Sequence, residues 1–279
     1  TTGFELQAKW SDKLANGFRY SVGVALSDDK AKVVSYPSNP TNKIGDGVLY
    51  KGYTVGDIWG YVTGGILQEG DFDGVGANGK PLYHGPYFKG GQAYPGYIWY
   101  QDLDHDGVIT TGLNTVDDPG DRKVIGNNAP RYRYNITANF QYKGFDLDLM
   151  FQGVGKRDYW LSSTSSYWGN GAGSWEVYNN SWTPERTDAK FPMYGSGTGS
   201  YPQTGYLLDA SYIKLKQVIL GYTFPRALIN KIGLEKLRLN LADYNLFTIS
   251  DMPKYYDADY LSDAYPPKRT FSVGIQVGF

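Results

Sequence analysis

Residues 270–279 read Thr-Phe-Ser-Val-Gly-Ile-Gln-Val-Gly-Phe, so that Phe271, Val273, Ile275, Val277 and Phe279 alternate with small or polar residues. Successive side chains of a strand point to opposite faces, and strict period two therefore predicts one apolar and one polar face. The same alternation recurs upstream. Phe4, Leu6, Ala8 and Trp10 oppose Glu5, Gln7 and Lys9, and Phe18, Tyr20, Val22, Val24 and Leu26 repeat the pattern. Tyr134, Ile136, Ala138, Phe140 and Tyr142 oppose Arg133, Asn135, Thr137, Asn139 and Gln141. After the hairpin signal Lys143-Gly144, the residues Phe145, Leu147, Leu149 and Phe151 oppose Asp146, Asp148, Met150 and Gln152. Leu237, Leu239 and Leu241 close the series against Lys236, Arg238 and Asn240. Between these lies a strand whose phase slips: Ile213 and Leu215 give way to Val218, Leu220, Tyr222 and Phe224. A β-bulge near Gln217 restores one apolar face. Seven strands result, mostly of about nine to thirteen residues, the length of a tilted bilayer crossing.

Composition narrows the class. The 279 residues carry a net charge of −1, no cysteine, two histidines, 36 glycines and 26 tyrosines; mean hydropathy is −0.45. A charge near zero with no concentrated basic patch excludes nucleic acid as the partner. The absence of cysteine removes disulfides, thiol nucleophiles and Cys-type zinc sites. No run approaches the roughly 18 apolar residues of a membrane helix, whereas barrel strands alternate and keep average hydropathy low. There is no signal peptide, and Thr1-Thr2-Gly3 opens within an extended run, so a piece of a longer protein is expected.

The connections separate two all-β architectures. Residues 11–17, 143–144 and 225–235 are short; 27–130, 154–210 and 248–268 are long. Transmembrane barrels alternate in this way, with short periplasmic turns and long extracellular loops. Seven strands leave open edges, and single-chain barrels have even strand numbers, so a larger barrel is implied. A small complete porin needs an eighth strand, for which Tyr50–Val62 is the place to look. The competing reading is a soluble carbohydrate-binding β-sandwich, which explains the aromatics and period two but not the alternation of loops.

Several segments carry a family resemblance. Gly52-Tyr53-x-Val55-Gly56-Asp57-Ile58-Trp59-Gly60-Tyr61, and Asp121-Arg122-Lys123-Val124-Ile125-Gly126-Asn127 followed by Pro130, resemble the SusC/RagA family of TonB-dependent outer-membrane transporters. So do Lys143-Gly144-Phe145-Asp146-Leu147 with Phe151-Gln152-Gly153, Trp182-Thr183-Pro184-Glu185, Asp209–Leu215, Leu220-Gly221-Tyr222, Asn245-Leu246-Phe247-Thr248 and Tyr265-Pro266-x-x-Arg269-Thr270-Phe271. Residues 70–95 carry little of the likeness. Ala242-Asp243-Tyr244 departs from it, since a small-Gly-Gln sequence is more usual there. The resemblance implies the C-terminal strands of a 22-stranded transmembrane antiparallel β-barrel with long extracellular loops, in the outer membrane of a Gram-negative bacterium. Residues 1–279 are then the C-terminal part of that barrel, with plug domain and signal peptide upstream. It also implies active import of oligosaccharides or peptides, driven by TonB and capped by a SusD-like lipoprotein, with no catalysis by this chain. Phe279 resembles the C-terminal aromatic by which barrels are recognised for assembly.

The sharpest local chemistry is Asp102-Leu103-Asp104-His105-Asp106-Gly107-Val108. Carboxylates at positions 1, 3 and 5, glycine at 6 and the Val108 carbonyl at 7 match the first half of an EF-hand-type calcium loop. Leu113 stands where the bidentate Glu belongs, so Asp117, Asp118 or Asp121 must close a structural Ca2+ site in 102–121. The competing reading is an acidic turn held by Asx-type hydrogen bonds. His105 points outward at position 4, and His84 lies in a surface turn. Neither accompanies a serine nucleophile motif, so there is no triad.

Two further sets of candidates concern a solute. Tyr159, Trp160, Trp168 and Trp175 lie in an aromatic-rich connection whose rings suit sugar stacking, a loop core or a lid seat. Arg133, Asn135, Asn139, Asp146, Asp148, Lys214, Lys216 and Arg238 lie on polar strand faces, the lumen side of a barrel. Asp146 and Asp148 share that face, and lumen charge is a simpler reading for them than glycosidase chemistry. The apolar faces are expected to meet lipid, with Trp10 and Phe279 near the periplasmic interface.

Overall fold

The computed structural model describes residues 1–279 except 46, 161–174, 197–199, 255 and 262–266. The chain divides into two compact units, one made of Thr1–Lys30, Pro130–Arg157 and Asp209–Phe279, the other of Ala31–Ala129 and Asp158–Leu208.

The first unit is a seven-stranded antiparallel meander: β1 Thr2–Lys13, β2 Arg19–Lys30, β3 Arg131–Tyr142, β4 Phe145–Lys156, β5 Tyr212–Thr223, β6 Lys236–Ser250 and β7 Thr270–Gly278. Every strand pairs with its neighbour in sequence, so the Greek-key crossing of a sandwich is not found among the described strands. The strands outrun the expected bounds. β1 continues past Trp10 to Lys13, and β6 past Leu241 to Ser250.

Local chemistry fixes the turns. Lys143 (φ 45°) and Gly144 (φ 89°) both adopt the left-handed region, as a two-residue type I′ hairpin requires. A Cβ on Gly144 would lie 2.7 Å from the Thr223 carbonyl oxygen, so glycine is needed for space as well as conformation. Residues 224–235 wind into the short helices Arg226–Ile229 and Asn230–Ile232, ended by Gly233 at φ 75°.

The phase slip in β5 is a bulge at Lys216. The ladders to β4 and β6 pass from Leu215 directly to Gln217, while β6 passes from Phe247 to Tyr244 across Asn245 at φ 60°. Registers then align the faces. Val22, Ala138, Leu149, Val218 and Asp243 form one row on the apolar face, and Ser21, Asn139 and Asp148 another on the polar face. Along the apolar face aliphatic residues (Val22, Val24, Ile136, Leu149, Val218) share their rows with rings, and further rings gather at the short-turn end. At the short-turn end Phe18 lies 6.1 Å from Phe140 and Phe145 4.4 Å from Tyr222; Phe151 and Phe247 lie in the row of Val24 and Ile136, Phe271 in that of Val218, and Tyr134 one row further towards the other end.

The second unit folds the two long connections on small sheets: Asp57–Tyr61 with Arg122–Asn127, Thr63–Ile66 with Ile98–Tyr100, and Tyr87–Phe88 parallel to Val108–Ile109. Tyr50–Val62 therefore supplies no eighth strand of the meander. Tyr61, Phe88, Tyr100 and Tyr201 form its aromatic centre, with ring centroids 4.9–5.9 Å apart. Burial pushes the Tyr100 and Tyr206 phenols far up, and Tyr87 to about 12. Among the described residues no helix is long and apolar enough to cross a membrane, which leaves crossing by strands open.

Candidate functional site: the polar face of the meander

Period two and the Lys216 bulge place all eight strand candidates on one face. Near the short turns, Arg238 of β6 donates to Asp146 of β4 at 2.5 Å, and Asn139 Nδ2 donates to Asp148 at 2.5 Å. A cavity of about 590 Å3 opens there, lined by Arg19, Gln141, Lys143, Asp146, Asp148 and Arg238. Arg133 pairs with Asp29 of β2, and Asn135 lies beside it on the same face.

At the long-connection end, Lys214 is only 1 % exposed. A buried ammonium is tolerated only when paired, and its partners lie outside the strands. Lys214 Nζ is 2.7 Å from Asp257 Oδ2 and 3.6 Å from Asp259 Oδ2, while Lys216 Nζ is 2.5 Å from Asp259 Oδ2. The Tyr212 hydroxyl donates to Asp259 Oδ1 at 2.6 Å. Burial raises the Asp259 carboxyl, but hydrogen bonds from Lys216 and Tyr212 and the charges of both lysines hold it below the ordinary range. Beside it lies a second cavity of about 390 Å3, lined by Glu5, Ser27, Arg133, Asn135, Gln152 and Asp259 among others. Sequence reasoning missed both aspartates, because Asp-x-Asp in a loop gives no sign of lysines about 43 positions away.

The acidic turn lies in the second unit. Asp102, Asp104 and Asp106 bring carboxylate oxygens within 4.8 Å of one another, and His105 (φ 63°) and Gly107 (φ 85°) make the tight turn. Asp102 accepts from the His105 and Gly107 amides at 2.7 and 2.8 Å, Asp104 from Asp106 at 3.2 Å, and Asp106 from Val108 at 2.8 Å. Desolvation raises Asp104, helped by the charges of Asp121, Asp106 and Asp102; at Asp102 the backbone donors outweigh desolvation and lower the carboxyl. Asp121 is fully buried, and its two oxygens accept from Leu103 N and Thr110 N at 2.7 Å each, tying the loop's flanks together. His84 is exposed and lies 3.0 Å from Asp73.

Of the aromatic candidates, Tyr159 and Trp160 are half-buried. Trp175 is 78 % exposed on the helix Trp175–Asn179, edge-on to Tyr178 at 5.9 Å. Trp168 lies outside the described residues. Trp182 is a core residue, its Nε1 donating to Gln68 at 2.9 Å.

A long antiparallel meander with one face of aliphatic and aromatic residues and the other of paired charges defines the class: an all-β protein built on a seven-stranded meander. The chain is 28% identical to TonB-dependent receptor P3 of Formosa agariphila, over 99% of this chain and 28% of that protein. It is also 28% identical to TonB-dependent receptor P26 of the same organism, over 64% of this chain and 19% of that one. The fold matches the RagAB peptide transporter with a TM-score of 0.62 at 18% identity, over 99% of this chain and 29% of that one. It matches the RagAB peptide importer in its open-open state equally well, over 28% of that chain. No family model matches the sequence. The chain is thus similar in sequence to TonB-dependent receptors and in fold to the RagAB transporter. It spans about 28% of the length of the first of these curated relatives. The named relatives are receptors and transporters rather than enzymes.

Proposed function

We propose that this chain is wall of a 22-stranded outer-membrane barrel in a Gram-negative bacterium, part of a TonB-dependent importer of oligosaccharides or peptides. The observation that carries the reading is the seven-strand meander itself, whose continuous apolar face of aliphatic and aromatic residues suits a hydrocarbon layer and is backed by a polar face of paired charges. The connections agree, since turns at 14–18, 143–144 and 224–235 lie at one end and long segments at the other. Residues 1–279 act as the C-terminal part of the receptor, and the plug and TonB-contacting segment belong to sequence this chain does not span. The relationship to TonB-dependent receptors supports uptake as the activity, and the RagAB likeness supports a SusD-like lipoprotein as partner. Arg133, Asn135, Asn139, Asp146, Asp148, Lys214, Lys216 and Arg238 face the solute path, and Trp175 offers a ring to solute or lid. The test is fractionation and uptake. The full receptor should sit in the outer membrane, and its deletion should abolish uptake of a defined peptide or oligosaccharide; recovery in the soluble fraction would contradict the reading.

The turn at Asp102–Val108 takes Ca2+ in this reading, with Asp102, Asp104, Asp106 and the Val108 carbonyl as ligands. The clustering of three carboxylates around a glycine turn supports it, and Asp121 braces the loop from behind.

A further inference from the structure

The ion pairs of the polar face do not use up its cations. At the short-turn end Lys13 of β1 and Arg19 of β2 stand directly opposite each other in the ladder. Neither side chain has an ion pair or a hydrogen bond among the described residues. Like charges placed opposite each other across a ladder repel and destabilise it, so this pair is a cost to the wall by itself. The carboxylates nearby are engaged elsewhere. Asp12 stands opposite Tyr20, and its Oδ1 accepts from the Lys13 amide at 2.6 Å. Asp146, in the same row as Arg19, is paired with Arg238. Asp148 accepts from Asn139 Nδ2 at 2.5 Å, and Asn139 in turn accepts from Gln141 Nε2 at 3.2 Å, so the neighbouring amides donate towards Asp148.

Lys13 and Arg19 line a cavity of about 450 Å3, with Ser11, Ser21 and Asp12 among its other walls. Ser11 and Ser21 face each other one step along the same face, so an ammonium, a guanidinium and two hydroxyls share one cavity whose charge stays positive with Asp12 counted. Arg19 also borders the 590 Å3 cavity beside it, where Lys143, again without a carboxylate, lies 5.1 Å from the Tyr142 ring. A guanidinium presents a planar fork that matches a carboxylate, and hydroxyls add donors to the same oxygens. We propose that Lys13 and Arg19 form an anion subsite on the polar face, which takes a carboxylate of the solute from an acidic side chain of a peptide or a uronate of an oligosaccharide. A bound carboxylate offsets the repulsion between the two cations. The subsite rests on the importer reading for its ligand, whereas the field of the paired cations is measurable without it.

The test uses the full receptor in detergent micelles, with Ser21→Cys as reporter, since Ser21 lines the cavity and this chain has no cysteine of its own; any cysteine elsewhere in the receptor is replaced by serine. Thiol reagents of similar size bearing a sulfonate or a trimethylammonium group are compared, each rate divided by that for free cysteine. A cavity lined by one sign of charge concentrates the counter-ion by about tenfold or more, so the sulfonate reagent should be favoured by at least about tenfold. The preference should fall towards unity in Lys13→Gln/Arg19→Gln, which removes a repulsion and so keeps the fold, and should persist in the charge-keeping Lys13→Arg/Arg19→Lys. The source of the carboxylate is then read by protection. A Gly-Glu repeat peptide is set against its Gly-Gln counterpart, and an oligogalacturonate against its methyl ester. Slower labelling with an acidic member and not with its neutral counterpart is the expected result, and the acidic member that protects identifies the source. Protection by neither acidic member, or by charged and neutral members alike, would overturn the subsite. Equal rates for the two reagents would overturn it as well, because another part of the receptor then neutralises the cations. A receptor absent from the outer membrane would instead overturn the importer reading and leave the reagent ratio to stand by itself.

Discussion

Arg238 of β6 and Asp146 of β4 form an ion pair, Nη2 to Oδ2 at 2.5 Å, that crosses the whole width of the intervening strand β5. It passes directly over Gly221. A Cβ at that position would lie 2.4 Å from Arg238 Nη2 and 2.5 Å from Asp146 Oδ2, so the glycine is there to leave room for a bridge between strands that are not neighbours. The bridge ties three strands in register at the short-turn end of the polar face.

Gly221→Ala should therefore break the pair by displacement rather than by removing either charge. The expected cost is about 1.5–3 kcal/mol, the range for a hydrogen bond to a charged group, read as a lower unfolding midpoint of the full receptor in detergent. Arg238→Met in the Gly221→Ala background should add little. A full additional loss from Arg238→Met would mean that the glycine serves some other purpose.

Asp243 supplies a second case, of opposite sign. It stands on the apolar face between Val218 and Phe271, is 9 % exposed, and its Oδ1 has no hydrogen-bond partner among the described residues. Buried polar atoms without partners cost about 1–3 kcal/mol. Asp243→Val should raise the unfolding midpoint by an amount in that range, since it restores the row of Val22, Ala138, Leu149 and Val218. A fall in the midpoint would show that the carboxylate has a partner in the assembled receptor.

The cluster of Lys214 and Lys216 with Asp257 and Asp259 gives a pH dependence. Asp259 has its carboxyl held below the ordinary Asp value, so it stabilises the cluster fully above that value, near 3.9, and the contribution is lost as pH falls further. Hydrogen exchange of residues 256–260, corrected for intrinsic rate, should stay protected from pH 8 to 5 and lose protection only in the acid range below about pH 4. Loss of protection already near pH 6 would point to a different group.

For the acidic turn, calorimetric titration of the folded receptor with calcium should give saturable heat, and Asp104→Asn should remove it. Asp121→Asn should instead loosen the loop, because that carboxylate bonds the Leu103 and Thr110 amides. Absence of heat in the native protein would leave the turn as one held by its own Asx-type bonds.

Much of the wall could be read from the alternation of residues, because a period-two pattern needs only nearest neighbours in sequence. The phase slip at Lys216 was visible for the same reason. β6 beyond Leu241 was hidden because Asp243 breaks the apolar phase and Asn245 turns to positive φ. Asp57–Tyr61, within the Tyr50–Val62 stretch where a complete porin would need its eighth strand, pairs instead with Arg122–Asn127; pairing between distant segments leaves no local mark. The fate of Asp121, and the meeting of Lys214 with Asp257, depend on contacts 18 and 43 residues apart, beyond any spacing rule.

The central claim is that the alternating faces meet lipid on one side and the barrel interior on the other. It is tested most directly by nitroxide labels placed singly at residues 238 to 241 of the full receptor in lipid bilayers. Collision with oxygen, which partitions into lipid, should be high at 239 and 241 and low at 238 and 240. Equal oxygen accessibility at all four positions would contradict it.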